Sequence, residues 1–311
     1  MTLENKRAFV TGATGFVGHH LTKKLILNAW EVHALIREHA DSKTNKDFPA
    51  EVIQHNYSGT SFQLKEIMSQ VKPDVVFHLA AFTQTDHEPK DIELLIDTNI
   101  KLGIYLLEAM RQTSVCHMVN TGTYWQHYNG TDAFRPVNLY AATKQAFEDI
   151  LEFYRDAGFV RAVTLKLFDV YGPYDTRNKL LQLIKQSQES EKPLEMTMGK
   201  QIVNMVYIDD VIDAYLHAAD LIKSKTADTL QASYAIGSEE EYTLREVVQT
   251  VEQVVSKKLN IKWGTKPYRK REIMMPWKGR PLPGWRAKTN LETGLRLTLS
   301  QPSFQSALVH E

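Results

Sequence analysis

The chain has one cysteine, Cys116, in 311 residues. That excludes an internal disulfide and any cage of cysteine ligands, and it suits a reducing compartment such as the cytoplasm. In the apolar-flanked run VCHMV this cysteine reads as a small buried core residue. Excess charge is lacking too: Lys plus Arg and Asp plus Glu number 37 each, so no global field points to nucleic acid or to an anionic membrane. No stretch approaches the roughly 18 consecutive apolar residues that a membrane span needs. The opening MTLENKRAFVTG is charged and then enters a strand, without the apolar segment of a secretory signal. Low-complexity segments and solenoid-period repeats are absent. The 11 histidines are scattered, and the adjacent His19 and His20 diverge on a helix, so no metal site is expected.

What is present is an ordinary soluble composition, 43% hydrophobic and 24% charged. A chain of this length buries a large core, as one big domain or two closely packed ones. Short apolar runs at 7–12, 31–37, 50–54, 74–81, 117–120 and 161–168 read as strands. Helix-period stretches lie between them at 16–28, 62–71, 91–112 and 139–156. This alternation predicts an α/β fold, a doubly wound parallel (Rossmann) sheet covered on both faces, with its binding crevice beyond the strand C-termini. After YGP at 171–173 Pro and Gly become frequent, helices are expected near 178–190, 208–223 and 243–258, and 276–290 reads as irregular. Residues 1–170 are therefore expected to form a dinucleotide-binding domain and 171–311 mainly a smaller substrate-binding cap, with 200–223 packing back on the sheet.

The segment VTGATGFVGHHL (10–21) sets Gly12, Gly15 and Gly18 between the first strand and the first helix. Gly12 permits the tight turn, Gly15 lets backbone approach a pyrophosphate, and Gly18 allows close helix–strand packing. Thr14, Phe16 and Val17 complete this turn, where the helix N-terminus offers N–H groups to phosphate. At the end of the second strand an acid is expected for a ribose 2′-hydroxyl, but Ile36 stands there and Arg37 follows. An arginine suits a 2′-phosphate, which favours NADP(H) over NAD(H). A one-residue register shift would instead make Glu38 the ribose ligand.

In NLYAATKQAFEDI (138–150) Tyr140 and Lys144 lie four residues apart on one helical face, together with Phe147 and Leu151. That face points into protein, and a buried lysine needs a partner or a purpose. Reduction of a ketone builds alkoxide charge that a positioned acid must quench, and a nearby cation makes a phenol a better donor.

With TGATGFVG, HLAA (78–81), YAATK (140–144) and LFDVYGP (167–173) in this order, the chain resembles the extended short-chain dehydrogenase/reductase family, also described as NAD-dependent epimerases/dehydratases. The resemblance implies that Tyr140 donates the proton, that Lys144 activates it and holds the nicotinamide ribose, and that Leu79, Ala80 and Ala81 line the coenzyme. It implies a hydroxyl at the end of the fifth strand, Thr121 in the family register or Thr123 as second choice. Asn99 matches a family asparagine that supports the site, or is an exposed helical polar residue.

The departures narrow the chemistry. Dehydratases of the family carry Thr-Asp-Glu or a similar acidic series where this chain has Thr121-Gly122-Thr123, and elimination needs that acid and base. Epimerase-reductases use a cysteine and a histidine where Thr123 and Tyr174 stand. The stretches NTGTYWQHY, NLYAATKQAFEDI, LKLFDVYGPYDTR and LPGWRAKTNLETGL together are similar to nucleotide-sugar 4-ketoreductases of the CDP-abequose and CDP-paratose synthase type. This implies reduction by NADPH of the C4 ketone of a CDP-linked deoxyhexose for lipopolysaccharide O-antigen, by a cytoplasmic homodimer with a small-molecule nucleotide-sugar as substrate. Thr83, Thr123 and Asp169 are expected near the sugar, with Arg177, Lys179, Arg269, Arg271 and Arg280 as cationic candidates for the diphosphate. Two readings compete: a 4-epimerase with tightly bound NAD, and a dinucleotide sensor without catalysis.

Overall fold

The computed structural model describes residues 6–37, 49–177, 179–188, 192–224 and 230–300. Seven parallel strands form the central sheet: β1 (Arg7–Thr11), β2 (Glu31–Arg37), β3 (Ile53–Tyr57), β4 (Val75–His78), β5 (His117–Thr123), β6 (Arg161–Leu167) and, far along the chain, the strand Ser233–Ile236. Its order runs from Ser233–Ile236 through β6, β5, β4, β1 and β2 to β3. The order reverses between β1 and β4, and that point fixes the crevice of a doubly wound sheet.

Burial on both faces explains the apolar strand sequences. Ala8 and Val10 of β1 join the core on one face, while Phe9 joins the core on the other. The first face is covered by α1 (Phe16–Leu27) and by a later helix, Ile208–Lys223. The second carries α2 (Ser61–Val71), α3 (Ile92–Ile96) running through a π-helical turn (Asp97–Lys101) into α4 (Leu102–Thr113), and α5 (Leu139–Asp156). Helix α5 starts where the Asn138 side chain accepts from Ala141 N–H at 3.0 Å. Its buried stripe of Ala141, Lys144, Phe147, Leu151 and Tyr154 follows the i, i+3, i+4 rule.

Beyond β6 come β7 (Asp169–Tyr171), α6 (Leu180–Gln188), β8 (Leu194–Met196), β9 (Ile202–Val203), β10 (Met205–Tyr207), α7 (Ile208–Lys223), β11 (Ser233–Ile236), β12 (Tyr242–Thr243), α8 (Leu244–Val255), β13 (Ile261–Trp263) and α9 (Leu291–Leu299). Short pairs β7–β10, β9–β12 and β8–β13 tie this part together. No described helix is long and apolar enough to cross a membrane.

Three expectations are corrected. The third strand is Ile53–Tyr57, not 50–54: it pairs only with β2, from His33↔Ile53 to Arg37↔Tyr57, so an edge position tolerates polar residues that hide it from an apolar reading. Cys116 is exposed, not buried, because it lies in the turn between α4 and β5, with Sγ 3.6 Å from His117 Nδ1. And β11, from the stretch read as cap, is an edge strand of the main sheet, paired to β6 from Ser233↔Thr164 to Ile236↔Leu167.

Candidate active site

The glycine turn lies at the topological switch point. Gly12 has φ +71°, and a Cβ there would sit 2.6 Å from Ala80 N and 2.7 Å from the Leu79 carbonyl carbon. The turn and the HLAA strand end are therefore packed backbone on backbone, which only glycine permits. A Cβ on Gly18 would collide with the Gly12 carbonyl oxygen. Gly15 is the N-cap of α1, no side chain caps that helix, and its first turn holds no acid. Thr14, Gly15 and Ala81 are exposed, and Phe16, Val17, Leu79 and Ala80 half-buried, along this opening. Arg37 is exposed at the end of β2. Glu38 lies outside the described residues.

Tyr140 lies in the first turn of α5, near Thr83 and Arg177. Burial pushes its phenol up, and a hydrogen bond with Thr83 and the charge of Arg177 draw it back. One turn later Lys144 is only 1% exposed, and its Nζ has no hydrogen-bond partner. Burial lowers this ammonium to about 8, with Glu148 opposing. Nearby, the Thr11 hydroxyl accepts from Ala80 N–H at 3.2 Å and lies 2.8 Å from His78 Nδ1. Burial and then Lys144 hold the His78 imidazole down to about 3, so it stays neutral beside the lysine. A glycine cradle at a helix start and a buried unpartnered ammonium beyond it are what a dinucleotide pyrophosphate and ribose would complement.

The strand-end hydroxyls differ in availability. Thr121 Oγ1 is 2.6 Å from the hydroxyl of Tyr215, which is fully buried on α7. Thr123 Oγ1 accepts from Trp125 N–H as the cap of the turn Tyr124–Gln126, and Thr123 N–H donates to Gln126 Oε1 at 2.9 Å. Asn99, in the π-helical turn, is fully buried. Its Oδ1 accepts from Phe82 N–H at 2.8 Å, and its Nδ2 donates to Phe82 O and Thr143 Oγ1. It thus clamps the loop after β4 to α5 and holds Tyr140 in place through its helix.

Several of the charged candidates already have partners. Arg177 packs 4.4 Å over Phe16, but its guanidinium is held by Asp175 through Nε and Nη2, both at 2.7 Å, and by the Val170 carbonyl. Asp169 accepts from Tyr124 Oη at 2.9 Å, and Tyr124 stacks on Phe168 at 4.7 Å. Lys179 is exposed. Desolvation and Arg177 lower its pKa, with Asp169 pulling it up. Arg271 lies 4.2 Å over the Tyr128 ring, and its Nε is buried without a partner. Arg269 lies 5.8 Å over Trp125. Arg280 is not drawn into this group: its side chain is exposed and its carbonyl accepts from Ala235 N–H on β11.

Sequence reasoning missed Tyr215, Asp175 and Tyr124, which pair with Thr121, Arg177 and Asp169 from 94, 2 and 45 residues away. Only the short Asp175–Arg177 spacing could have signalled its pair. Asp210 was also missed: its carboxylate accepts from the N–H groups of Lys288 and Thr289 at 3.1 and 3.0 Å, and so anchors the irregular tail.

Known proteins are similar to this chain in sequence and in fold. The chain is 27% identical over 270 residues to CDP-abequose synthase of Yersinia pseudotuberculosis, covering 87% of this chain and 91% of that one. It is 26% identical over 271 residues to dTDP-glucose 4,6-dehydratase of Neisseria gonorrhoeae, covering 79% and 77%. The UDP-glucose 4-epimerase of Thermus thermophilus, solved with NAD, superposes with a TM-score of 0.77 at 25% identity, covering 94% and 97%. Residues 8–237 match the model of the NAD dependent epimerase/dehydratase family, and the chain belongs to that family.

Proposed function

We propose that this protein reduces the C4 ketone of a nucleotide-linked 4-keto-deoxyhexose, with CDP as the nucleotide and NADPH as reductant, in the cytoplasmic synthesis of bacterial O-antigen sugars. The observation that carries this reading is the pairing of Tyr140 and buried Lys144 beside a strand end, Thr121-Gly122-Thr123, that has no carboxylate of its own. The similarity to CDP-abequose synthase supports the sugar and the nucleotide.

When bound, the reduced nicotinamide supplies one hydride, to C4. The chain's own residues supply the rest. Tyr140 donates its phenolic proton to the ketone oxygen as the C–O bond becomes single, giving the alcohol. Thr121, oriented by Tyr215, hydrogen-bonds that oxygen as it gains charge. Lys144 holds the ribose hydroxyls, which gives its unpartnered Nζ acceptors. Asp169, steadied by Tyr124, accepts from a sugar hydroxyl beside Thr83 and Thr123. Arg177 is engaged by Asp175 and Arg280 lies apart, which leaves Lys179 and Arg271 as the cations for the diphosphate. The working unit is a homodimer.

The purified protein should consume one NADPH per CDP-4-keto-3,6-dideoxyhexose, read as loss of nicotinamide absorbance. Conversion of a stable sugar nucleotide with no coenzyme added would favour a 4-epimerase with tightly bound NAD; the Thermus thermophilus neighbour is a 4-epimerase solved in complex with NAD. No turnover of any 4-keto sugar nucleotide, with coenzyme still bound, would favour a dinucleotide sensor. Arg37 is the exposed cation at the end of β2, so Arg37→Ala should weaken NADPH binding by about 10-fold or more and leave NADH binding nearly unchanged. An unchanged ratio of the two affinities removes the arginine from coenzyme choice.

A further inference from the structure

Behind Lys144 lies a second set of buried charges that the reaction above does not use. Glu148 follows Lys144 by one turn of α5. Its Oε1 accepts from Gln126 Nε2 at 2.9 Å, and its Oε2 is 3.2 Å from Lys166 Nζ on β6. Gln126 Nε2 also donates to Gln145 Oε1 at 2.7 Å. Lys166 is fully buried, a rare place for an ammonium unless it is paired. It donates to His127 Nε2 at 2.9 Å and faces the rings of Phe134 and Trp277 at 4.7 and 5.5 Å. Trp277 stacks on His127 at 4.0 Å and closes the set from the irregular tail. Because Lys166 donates to Nε2, His127 is neutral, consistent with a pKa lowered to about 4 by burial and by Lys166.

Glu148 therefore pairs with the buried Lys166 and lies one turn of α5 from the buried, unpartnered ammonium of Lys144. A pair that only tied α5 to β6 would need neither a second lysine nor a strand end without a side chain. Gly122 shows that this end is shaped around the carboxylate: a Cβ there would lie 2.8 Å from Glu148 Oε1 and 2.9 Å from Gln126 Oε1. The groups acting on Lys144 are Glu148 from its own helix and the neutral His78 from β4. Burial pushes the Glu148 carboxyl above its ordinary range, opposed by Lys166 from β6, Gln126 from the loop after β5, and Lys144. Asp149 adds its charge to Lys166.

We propose that Glu148 is a positioning residue for Lys144: its carboxylate, held by Lys166 and Gln126, keeps the Lys144 ammonium one helical turn away charged for the coenzyme crevice. The use of that charge rests on the reductase reading, but its existence does not. Burial alone would drive the proton off Lys144, and Glu148 is the anion that opposes this.

The test is an NMR titration of the full-length protein carrying ¹³Cε-lysine, with the Lys144 signal assigned by its loss in Lys144→Met. In Glu148→Gln the Lys144 midpoint should fall by about one pH unit or more, and the alkaline limb of the pH–rate profile should move down with it. Glu148→Gln combined with Lys166→Met leaves no unpaired charge behind and so guards against misfolding. Its midpoint should lie between those of the single variant and wild type. A Lys144 midpoint that stays at the wild-type value in both variants overturns the proposal and leaves Glu148 a structural ion-pair partner. A midpoint that falls while the pH–rate profile stays fixed upholds the pairing and counts instead against the catalytic role given to Lys144.

Discussion

Tyr140→Phe is expected to lower turnover of the 4-keto sugar nucleotide by about 10²- to 10⁴-fold, with coenzyme affinity within about twofold of wild type. The substitution removes one oxygen and leaves the ring, so the wall of the crevice keeps its shape. The lost hydrogen bond to Thr83 is worth about 1 kcal/mol of stability at most, and melting should barely move. A catalytic defect without a folding defect is the pattern of a group that acts only as charge develops on the substrate oxygen. The measurement is kcat and KM by NADPH absorbance, with coenzyme Kd by fluorescence. Wild-type kcat in this variant would remove the phenol from the chemistry and leave Thr121, with Tyr215 behind it, as the nearest hydroxyl donor at the strand end.

How far the sequence could be read follows from the range of the interactions. Gly12, Gly15 and Gly18 were legible because the need for them is local: a strand, a left-handed turn and a helix start within a dozen residues. Strands β1, β4 and β6 were legible because burial on both faces writes a continuous apolar run. Tyr140 and Lys144 showed their common face because helical periodicity brings Phe147 and Leu151 into line with them. What could not be read is pairing across the chain. Strand β11 is four residues, SYAI, and only its register with β6 makes it part of the sheet. Thr121 meets Tyr215 through a helix from beyond the YGP turn. Lys166 sits in a run, RAVTLKL, that reads as plain strand, and its ring of Glu148, His127 and Trp277 comes from three separate segments. Charge content misled in the same way: Arg177 looked free for a diphosphate, while Asp175 two residues earlier already occupies its fork.

Lys144→Met should abolish most activity, by about 10²-fold or more, and yet make the protein more stable at neutral pH. In the folded chain burial holds the Lys144 ammonium down to about 8, whereas in the unfolded chain it titrates near its ordinary value of about 10.4. Below about pH 8 both states carry the proton, and the folded state bears the full desolvation penalty. Between about pH 8 and pH 10.4 the unfolded state holds more protons, so wild-type stability contributed by this group rises with pH. Above that range both states are neutral and the penalty is gone. Each tenfold change in proton affinity is about 1.4 kcal/mol, so the penalty at pH 7 is on the order of 3 kcal/mol. Methionine is of similar length and carries no charge, so the variant should exceed wild type by about that amount at pH 7, and the gap should close as pH approaches about 10.4. Denaturant unfolding at pH 7 and at pH 10 reads both ends of this curve. A variant less stable than wild type at pH 7 would mean that the ammonium is satisfied within the folded chain, and Lys144 would then be a structural residue with nothing left to offer a coenzyme.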